Sequence, residues 1–411
     1  MEEKRDIFSR AVRYYKKNGF LKTMKRMVIK PEPPKEDILG FWDFIVNKDE
    51  IPFSQEDYEQ NRDGRKTINW VVPEFEKGSG GHTTIFRFIS ALERRGFHSR
   101  IYVYRAVKLT DDEKLHTLLR EHFQLLDERV ESYCDVKNMK FAHATVATSW
   151  MTAYCVKNFH NTVSKFYFIQ DFEPYFYAHG SEYSFAENTY TFGFRGITAG
   201  DWLRDVVKRD YGMEAMSFRF SYDRKIYYPR PKQSERPTVF FYARPVTPRR
   251  EWELGMLALS ELWKRVPQLE VLFAGWDVST YDIPFPHKNM GVVSMETLAE
   301  LYTQSDLCLV ISGTNLSLVP LEIMGCGRLA VCTKGENSSW MVTEENAVLV
   351  DPEPIQIADT MEYYLKHPRE REEICRKGMA FAEQTSWEKE ADKVYDAMMN
   401  WIAEDEKKLK G

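Results

Sequence analysis

The sequence predicts a two-domain α/β protein in which each domain is built on its own parallel sheet. Three observations favour this fold class. The chain has 411 residues, which is enough for two or three domains with full cores. From residue 67 onward, apolar segments typical of strands alternate with amphipathic segments typical of helices. The alternation starts again at residue 238, after a polar, proline-rich stretch near residues 214–237.

The first series begins with TINWVV, which predicts a strand, and passes through a GSGG turn into HTTIFRFISALERRG, which predicts a helix. IYVYR, HATVAT, KFYFIQ and GITAG predict further short buried strands. Strands that are joined by helices run parallel, because each helix carries the chain back to the edge where the previous strand began. The first series therefore predicts one parallel sheet.

The second series repeats this alternation. It runs through TVFFYARP, EWELGMLALSELWKRV, LEVLFAG, METLAELYTQS, DLCLVIS, LVPLEIMGCG and LAVCT. We therefore predict four parts: a basic amphipathic segment (residues 1–34), a first Rossmann-like domain (35–215), a second (216–386) and a C-terminal helix (387–411) that can return to the first domain.

Composition excludes a disordered chain and a small disulfide-stapled module. Hydrophobic residues make up 43% and charged residues 29%, with a net charge of −5, which is ordinary for a soluble globular protein. The six cysteines lie far apart with no C-x-x-C pair, which fits a reducing cytoplasm. No apolar run is long enough to cross a membrane. We expect a cytoplasmic protein without a nucleic-acid partner.

Residues 1–30 differ in charge from the rest of the chain. They contain ten basic and three acidic residues, with apolar side chains interleaved at roughly helical spacing. Such a segment can lie on an anionic membrane at its inner face, as a peripheral contact. It can equally be a solvated helix packed on its domain, and both interpretations stay open.

Two segments place anion-binding groups next to predicted helices. The cluster Gly78 to Gly81 lies between a strand and a helix, where backbone amides suit a phosphate, although a tight turn gives the same pattern. Arg244 ends the first strand of the second series and Arg249 precedes its helix. Two guanidiniums at that edge can hold a diphosphate and offset the charge of a leaving group.

The segment SGTNLSLVPLEIMGCG is the most specific in the chain, because a loop after a buried strand meets a helix that carries Glu322. The amides of Leu316, Ser317 and Leu318 would point at an anion, and Glu322 could accept a hydrogen bond from a ribose hydroxyl. An ordinary acid in the first turn of a helix is the alternative. The sequence contains no Asp-x-Asp pair, so the arginines are expected to replace a metal ion and no cofactor is predicted.

The order and spacing of these segments resemble the retaining GT-B glycosyltransferases of glycosyltransferase family four. LYTQSDLCLVIS, LVPLEIMGCG, LAVCT and NAVLVDPEP carry the resemblance in the second half, and the GSGG helix and ITAGDWLRDVV carry it in the first. WVVPEFEKGSGGHTT and YFIQDFEPYFY are similar to the WsaF-like bacterial rhamnosyltransferases of cell-surface polysaccharide and S-layer glycan synthesis. The resemblance implies a GT-B fold, with an acceptor domain and a donor domain that face each other across a cleft.

The resemblance also implies site residues. The donor nucleotide sugar would be bound by Gly80, Gly81, Arg244, Arg249, Gly291, Val292, Thr314, Asn315, Leu316, Ser317, Leu318 and Glu322. Asp171, Arg244 and Arg249 would act on the reaction itself, with Glu173 or His179 as alternatives to Asp171 and a loop-capping role for Asp171 also open. The family has an acid where this chain has Thr314, and that departure puts the usual donor-sugar contact in doubt.

The implied activity is transfer of rhamnose from dTDP-rhamnose, with retention, onto a growing, lipid-linked surface glycan. A short neutral Thr314 leaves room for a 6-deoxy sugar, and the rings of Phe172, Tyr175, Phe176 and Tyr177 could contact its methyl group or stack on the acceptor. Three other activities stay open: transfer from another nucleotide sugar, epimerisation of a nucleotide sugar, and a non-catalytic sugar-binding role.

Overall fold

The computed structural model describes residues 37–123 and 125–410, and the chain separates into two compact units, Met1–Asn47 and Lys48–Gly411. The described part of the first unit forms two short helices, α1 (Ile38–Phe41) and α2 (Asp43–Val46). The basic segment predicted at residues 1–34 lies outside the described residues, so its two interpretations stay open.

The second unit begins its architecture with a parallel sheet of seven strands in the order β3-β2-β1-β4-β5-β6-β7. Its strands are β1 (Thr67–Pro73), β2 (His98–Tyr104), β3 (Glu131–Tyr133), β4 (Ala142–Ala147), β5 (Thr162–Ile169), β6 (Arg195–Ala199) and β7 (Ala215–Phe218). All six residues of β4 are buried, as expected of a central strand with helices on both faces. The last strand, β7, continues this sheet beyond residue 215.

The second sheet of this unit has six parallel strands in the order β10-β9-β8-β11-β12-β13. Its strands are β8 (Thr238–Tyr242), β9 (Glu270–Ala274), β10 (His287–Asn289), β11 (Leu307–Val310), β12 (Leu329–Thr333) and β13 (Val348–Val350). The prediction of two parallel α/β sheets is therefore confirmed.

The helices of the second unit lie between these strands and after them. They are α3 (Gln55–Asn61), α4 (Gly80–Arg94), α5 (Asp112–His122), α6 (Trp150–Asn158), α7 (Ser181–Asn188), α8 (Asp201–Tyr211), α9 (Trp252–Arg265), α10 (Met295–Gln304), α11 (Val319–Gly325), α12 (Pro354–Lys366), α13 (Pro368–Ala382) and α14 (Trp387–Lys410). Within the described residues, none of the helices is both long and apolar enough to cross a membrane.

The C-terminal helix α14 packs against the first sheet, although it follows the second sheet in the chain. The hydroxyl of Ser164 on β5 donates to Asp405 Oδ2 at 2.7 Å, and Arg95 Nε donates to Asp392 Oδ1 at 2.7 Å. Trp401 adds apolar contact, with its ring 5.9 Å from the ring of Phe166. The C-terminal helix α14 therefore packs against the first domain, although the second domain precedes it in the chain.

The order of the strands reverses direction at one place in each sheet, between β1 and β4 and between β8 and β11. Open parallel sheets bind ligands outside the carboxyl ends of the strands at such reversals. The glycine cluster spans the end of the loop after β1 and the start of α4, and the loops after β8 and β11 carry the two predicted arginines and Thr314. The topology therefore places most of the predicted donor-binding residues at the reversals.

Candidate active site

Loops from the carboxyl ends of the two sheets contact each other at Asp171, which follows β5, and at Thr314, which follows β11. The Thr314 hydroxyl donates to Asp171 Oδ2 at 2.8 Å. Asn315 Nδ2 donates to the carbonyl oxygen of Gln170 at 3.1 Å. Gln170 Nε2 in turn donates to the carbonyl oxygen of Gly81 at 3.2 Å. Gln170 and Asp171 therefore connect the glycine cluster of the first domain to the second domain.

The Asp171 carboxyl is buried, and its second oxygen, Oδ1, accepts a hydrogen bond from the amide of Phe172 at 2.9 Å. Burial raises its pKa, while the Thr314 hydroxyl and the charges of Arg249 and Arg250 act in the opposite direction. A carboxyl in this place can accept a hydrogen bond or stabilise positive charge at a reacting carbon. Asp171 therefore brings a carboxyl to Thr314 from the other domain.

Arg249 lies in a short 3-10 helix, Pro248–Arg250, between β8 and α9. Its guanidinium carbon lies 4.0 Å from the ring centroid of Phe176, which belongs to the first domain. Burial lowers the pKa of Arg249, and the nearby Asp171 opposes that shift. Among the described residues, Arg249 Nε is buried without a hydrogen-bond partner, which is unusual for a buried donor.

Arg250 is a site residue that the sequence analysis missed. Its Nη1 donates to the carbonyl oxygen of Asn315 at 2.9 Å, and burial lowers its pKa to about 10. The residue therefore fixes the loop after β11 and adds a third positive charge beside Arg244 and Arg249. The repeated arginine in TPRREW was the available signal, but a sequence does not show which of two adjacent guanidiniums turns inward. Arg244 itself donates from Nη1 to the carbonyl oxygen of Gly275 at 3.2 Å.

The glycine cluster lies against the turn that carries Gly291 and Val292, two of the residues predicted to bind the donor. Gly78 has a φ of 79°, and a Cβ at this position would lie 3.9 Å from Val292 Cγ1. Gly291, the neighbour of Val292, also has a positive φ of 61°. The helix α4 already begins at Gly80, so Gly80 and Gly81 form its first turn and do not belong to the preceding turn as predicted. Nothing lies within 4 Å of a Cβ at Gly80, which leaves space there for a ligand.

The loop before α11 differs from the prediction of three free amides. The amide of Ser317 donates to Asn315 Oδ1 at 2.7 Å, so it is already used within the loop. Ser317 has a φ of 61°, and the side chain of Leu316 is fully buried. The loop is therefore fixed by its own contacts, and the prediction is wrong for the Ser317 amide. Leu318 directly precedes the first helical residue, Val319.

Glu322 lies in the first turn of α11, and its side chain is buried there. Its Oε2 accepts a hydrogen bond from the hydroxyl of Tyr302 at 3.1 Å. Burial raises the pKa of Glu322 to about 7, against the opposing effects of hydrogen bonds from Tyr302 and Tyr227 and of the charge of Arg87. Arg87 belongs to α4, so the glycine-cluster helix influences this acid across the two domains. Its contact with a ribose stays a prediction.

The two alternatives to Asp171 are placed differently. The Glu173 carboxylate accepts from the amide of Trp150 at 2.7 Å and from the hydroxyl of Tyr167 at 2.9 Å, within the first domain. Burial raises its pKa to about 7. His179 is exposed and stacks on Tyr183, with 4.8 Å between the ring centroids. Glu173 therefore anchors the loop that carries Asp171, while Asp171 itself makes the contact with the second domain.

The aromatic residues of this loop serve separate purposes. Phe172 is buried against Tyr190, with ring centroids 5.4 Å apart, so the prediction that it faces a substrate methyl group is wrong. The hydroxyl of Tyr177 accepts a hydrogen bond from Trp150 Nε1 at 3.0 Å. Tyr175 is exposed and Phe176 lies under a guanidinium, so these two rings remain able to meet a ligand.

Across residues 37–123 and 125–410, no three His, Cys, Asp or Glu side chains are grouped so that they could hold a metal ion. Metal independence stays a prediction.

Comparisons with known proteins agree with this architecture. The family descriptions "WsaF, N-terminal domain" and "WsaF, C-terminal domain" match residues 67–199 and 237–362. Together the two matches cover more than half of the chain. The O-antigen biosynthesis protein RfbC of Myxococcus xanthus is 30% identical over 356 residues. That alignment covers 82% of this chain but only 27% of RfbC, so the chain spans about a quarter of that relative.

Solved GT-B structures share the fold at low sequence identity. Sucrose-phosphate synthase from Thermosynechococcus elongatus has a TM-score of 0.63 at 14% identity, covering 82% of this chain and all of the synthase chain. HepE from Anabaena, in complex with UDP and glucose, has a TM-score of 0.62 at 14% identity, with coverage of 82% and 100%. A TarM variant from S. aureus, in complex with fondaparinux, alpha-GlcNAc-glycerol and UDP, has a TM-score of 0.65 at 10% identity, with coverage of 81% and 99%.

Proposed function

The chain belongs to the WsaF family of GT-B glycosyltransferases, and on this premise we propose that it transfers rhamnose from dTDP-rhamnose, with retention, to a growing surface glycan. One observation carries the proposal. A buried carboxyl, Asp171, meets Thr314 from the facing domain within the field of two guanidiniums, Arg249 and Arg250. This combination suits a sugar diphosphate, because the guanidiniums can stabilise the leaving group while the carboxyl can stabilise positive charge at the sugar carbon.

We assign the steps to this chain's residues as follows. Arg244 and Arg249 bind the diphosphate and stabilise the charge that develops on it as the glycosidic bond breaks. Asp171 accepts a hydrogen bond from the acceptor hydroxyl or stabilises positive charge at the sugar carbon. Glu322 binds the ribose of the nucleotide. Contact between the two domains at Asp171 and Thr314 keeps water from the donor, which would otherwise be hydrolysed.

The comparisons support the class of substrate. HepE binds UDP and glucose, and the TarM variant binds UDP together with glycan compounds. RfbC is named for O-antigen biosynthesis, although this chain matches only part of it. These names support a nucleoside diphosphate sugar as the donor and a glycan as the acceptor, which we propose is lipid-linked and processed in the cytoplasm. The choice of rhamnose rests on the resemblance to the WsaF-like rhamnosyltransferases.

The donor is tested by titration and turnover with dTDP-rhamnose, UDP-glucose and GDP-mannose. We expect the tightest binding and the fastest transfer with dTDP-rhamnose. Preference for either other donor would contradict the proposed sugar and leave glycosyl transfer intact. Formation of a sugar isomer without glycan growth would favour an epimerase, and binding without any turnover would favour a non-catalytic role.

We also propose that transfer needs no metal ion, because guanidiniums can supply the positive charge that a divalent ion supplies elsewhere. Activity should persist in EDTA. Loss of activity in EDTA, with recovery on addition of magnesium or manganese, would contradict this proposal.

Peripheral membrane contact through residues 1–30 is proposed from their charge. Deleting them should weaken binding to anionic vesicles more than it slows turnover on a soluble acceptor, because each basic residue near the surface contributes about 1 kcal/mol. Equal vesicle binding with and without the segment would favour the packed-helix interpretation.

A further inference from the structure

A cavity lies between α4 and α14, and two of the residues that line it, Arg87 and Trp387, carry buried hydrogen-bond donors without acceptors. The cavity has a volume of about 160 Å³ and is lined by Arg87, Ser90, Arg94, Leu125, Trp387 and Glu388, among others. In the described part of the chain, Arg87 Nε and Trp387 Nε1 are both buried and make no hydrogen bond. Buried N–H groups are nearly always paired, so two orphan donors beside one cavity are unusual.

The positions of these two donors are fixed by packing. The Arg87 guanidinium carbon lies 5.0 Å from the ring centroid of Trp387. The same ring meets Phe88 edge-on at 6.0 Å and Phe220 at 6.3 Å. An indole held by three neighbours cannot rotate to find another acceptor without breaking these contacts. The packing of the fold therefore fixes the orientation of these side chains and leaves the two donors without a hydrogen-bond partner.

The charge around the cavity favours an anion. Two arginines, Arg87 and Arg94, line the cavity together with one acid, Glu388, so the lining carries a net positive charge. Glu388 is already neutralised, because its Oε1 pairs with Arg94 at 3.2 Å and its Oε2 with Arg95 at 2.8 Å. Ser90 is also satisfied, since its hydroxyl donates to the carbonyl oxygen of Leu125 at 3.0 Å and accepts from the amide of Asp127 at 2.9 Å. Among these lining side chains, only hydrogen-bond donors are left without a partner.

We infer that this cavity is a second binding site, distinct from the donor site, which takes a small oxyanion such as a phosphate or carboxylate group on the guanidinium of Arg87, beside the Trp387 ring. Its volume of about 160 Å³ exceeds the roughly 30 Å³ that a water occupies in the liquid, so it has room for more than a single water. Because the charge of Arg87 also acts on Glu322, an occupant would change the electrostatic environment of that acid.

The test follows tryptophan indole N–H resonances by NMR in the full chain, labelled with ¹⁵N, while inorganic phosphate is added at constant ionic strength. The Trp387 resonance, assigned with Trp387→Phe, should shift and saturate. The matched internal control is Trp401, whose Nε1 already donates to Glu214 Oε1 at 2.9 Å, and its resonance should stay in place. Acetate titrated in parallel distinguishes the sources: tighter phosphate binding indicates a phosphorylated ligand, and tighter acetate binding indicates a carboxylated one.

Two variants locate the effect. Arg87→Met should weaken phosphate binding about tenfold or more, the loss expected for one charge-assisted hydrogen bond, and the uncharged variant Arg87→Gln replaces it if the Met variant fails to fold. Arg244→Ala should lose donor binding yet keep the Trp387 shift, so failure of this inference and failure of the proposed function are distinguishable. Three results would overturn the inference. The Trp387 resonance could shift without saturating, as in a cavity that holds only water, or the shift could be unchanged in the Arg87 variants. The third is loss of the Trp387 shift in Arg244→Ala.

Discussion

The two sheet edges that meet at the candidate site carry opposite charges. The second sheet presents the guanidiniums of Arg244, Arg249 and Arg250, while the loop after β5 of the first sheet presents the carboxyls of Asp171 and Glu173. Each set would be costly to bury alone, because an unpaired charge loses its hydration. The difference shows that neither domain contains the complete site, and that each edge lowers the cost of burying the other.

The largest expected effect comes from removing the carboxylate of the acidic edge. Asp171→Asn keeps the size of the side chain but loses the charge, so we expect turnover to fall by roughly 10²–10⁴-fold, the range for a group that assists proton transfer. Steady-state kinetics with the donor and an acceptor measure it. Asp210→Asn on the surface of α8 is the matched control. Equal turnover in both variants would remove Asp171 from the reaction.

Glu173 gives the acidic edge a pH-dependent contribution to stability. Its pKa is raised in the folded protein, from 4.5 to about 7, so the folded state favours the protonated form. The contribution of Glu173 to the free energy of unfolding is complete below about pH 4.5 and is lost as the pH rises towards 7. Its maximum is roughly 3 kcal/mol.

Urea unfolding at about pH 5 and pH 8 measures this dependence. Glu173→Gln should reduce the difference in the free energy of unfolding between the two pH values. Glu182→Gln, at an exposed position of α7, should leave the difference unchanged. An identical pH dependence in the unmodified protein and in Glu173→Gln would contradict the assignment.

The basic edge is tested by Arg249→Ala. Loss of a buried guanidinium with a free Nε should weaken dTDP binding by about 2 kcal/mol, because a charge-assisted contact to the diphosphate is removed. Calorimetric titration measures the change. The control is Arg209→Ala, which removes an exposed arginine that pairs with Asp210. Unchanged affinity in the Arg249 variant would refute the assignment of this edge to the diphosphate.

The smallest expected effect concerns the contact between the edges. Thr314→Val removes the hydroxyl that donates to Asp171, which should reduce stability by about 1 kcal/mol. It should also raise the pKa of Asp171, because this hydrogen bond lowers it, and so move the acidic limb of the pH–rate profile to higher pH. Thr314→Ser should restore both properties. An unchanged pH–rate profile would show that the hydrogen bond between Thr314 and Asp171 does not affect the reaction.

Some of the architecture could be predicted because alternating apolar strands and amphipathic helices are local patterns. The strands around Trp70 and Phe240 were found from such runs, and their burial agrees with them. The short strands β3 and β10 were not predicted, since three residues are too few to show a pattern and the side chains of β10 are all exposed. They form because the backbone at the edge of each sheet, on β2 and on β9, is available for pairing.

The sequence by itself determined the fold class, the family and the positions of Arg244, Arg249 and Glu322, since each lies at a fixed offset from a strand or helix signal. Three contacts were decided by the tertiary structure alone. Arg250 turns inward and donates to the carbonyl oxygen of Asn315, and the amide of Ser317 is used by a hydrogen bond within its own loop. The Thr314 hydroxyl donates to Asp171, although the two residues are 143 positions apart in the sequence. Such contacts depend on how two sheets place their loops against each other. No local pattern encodes that placement, because it results from the packing of the whole unit.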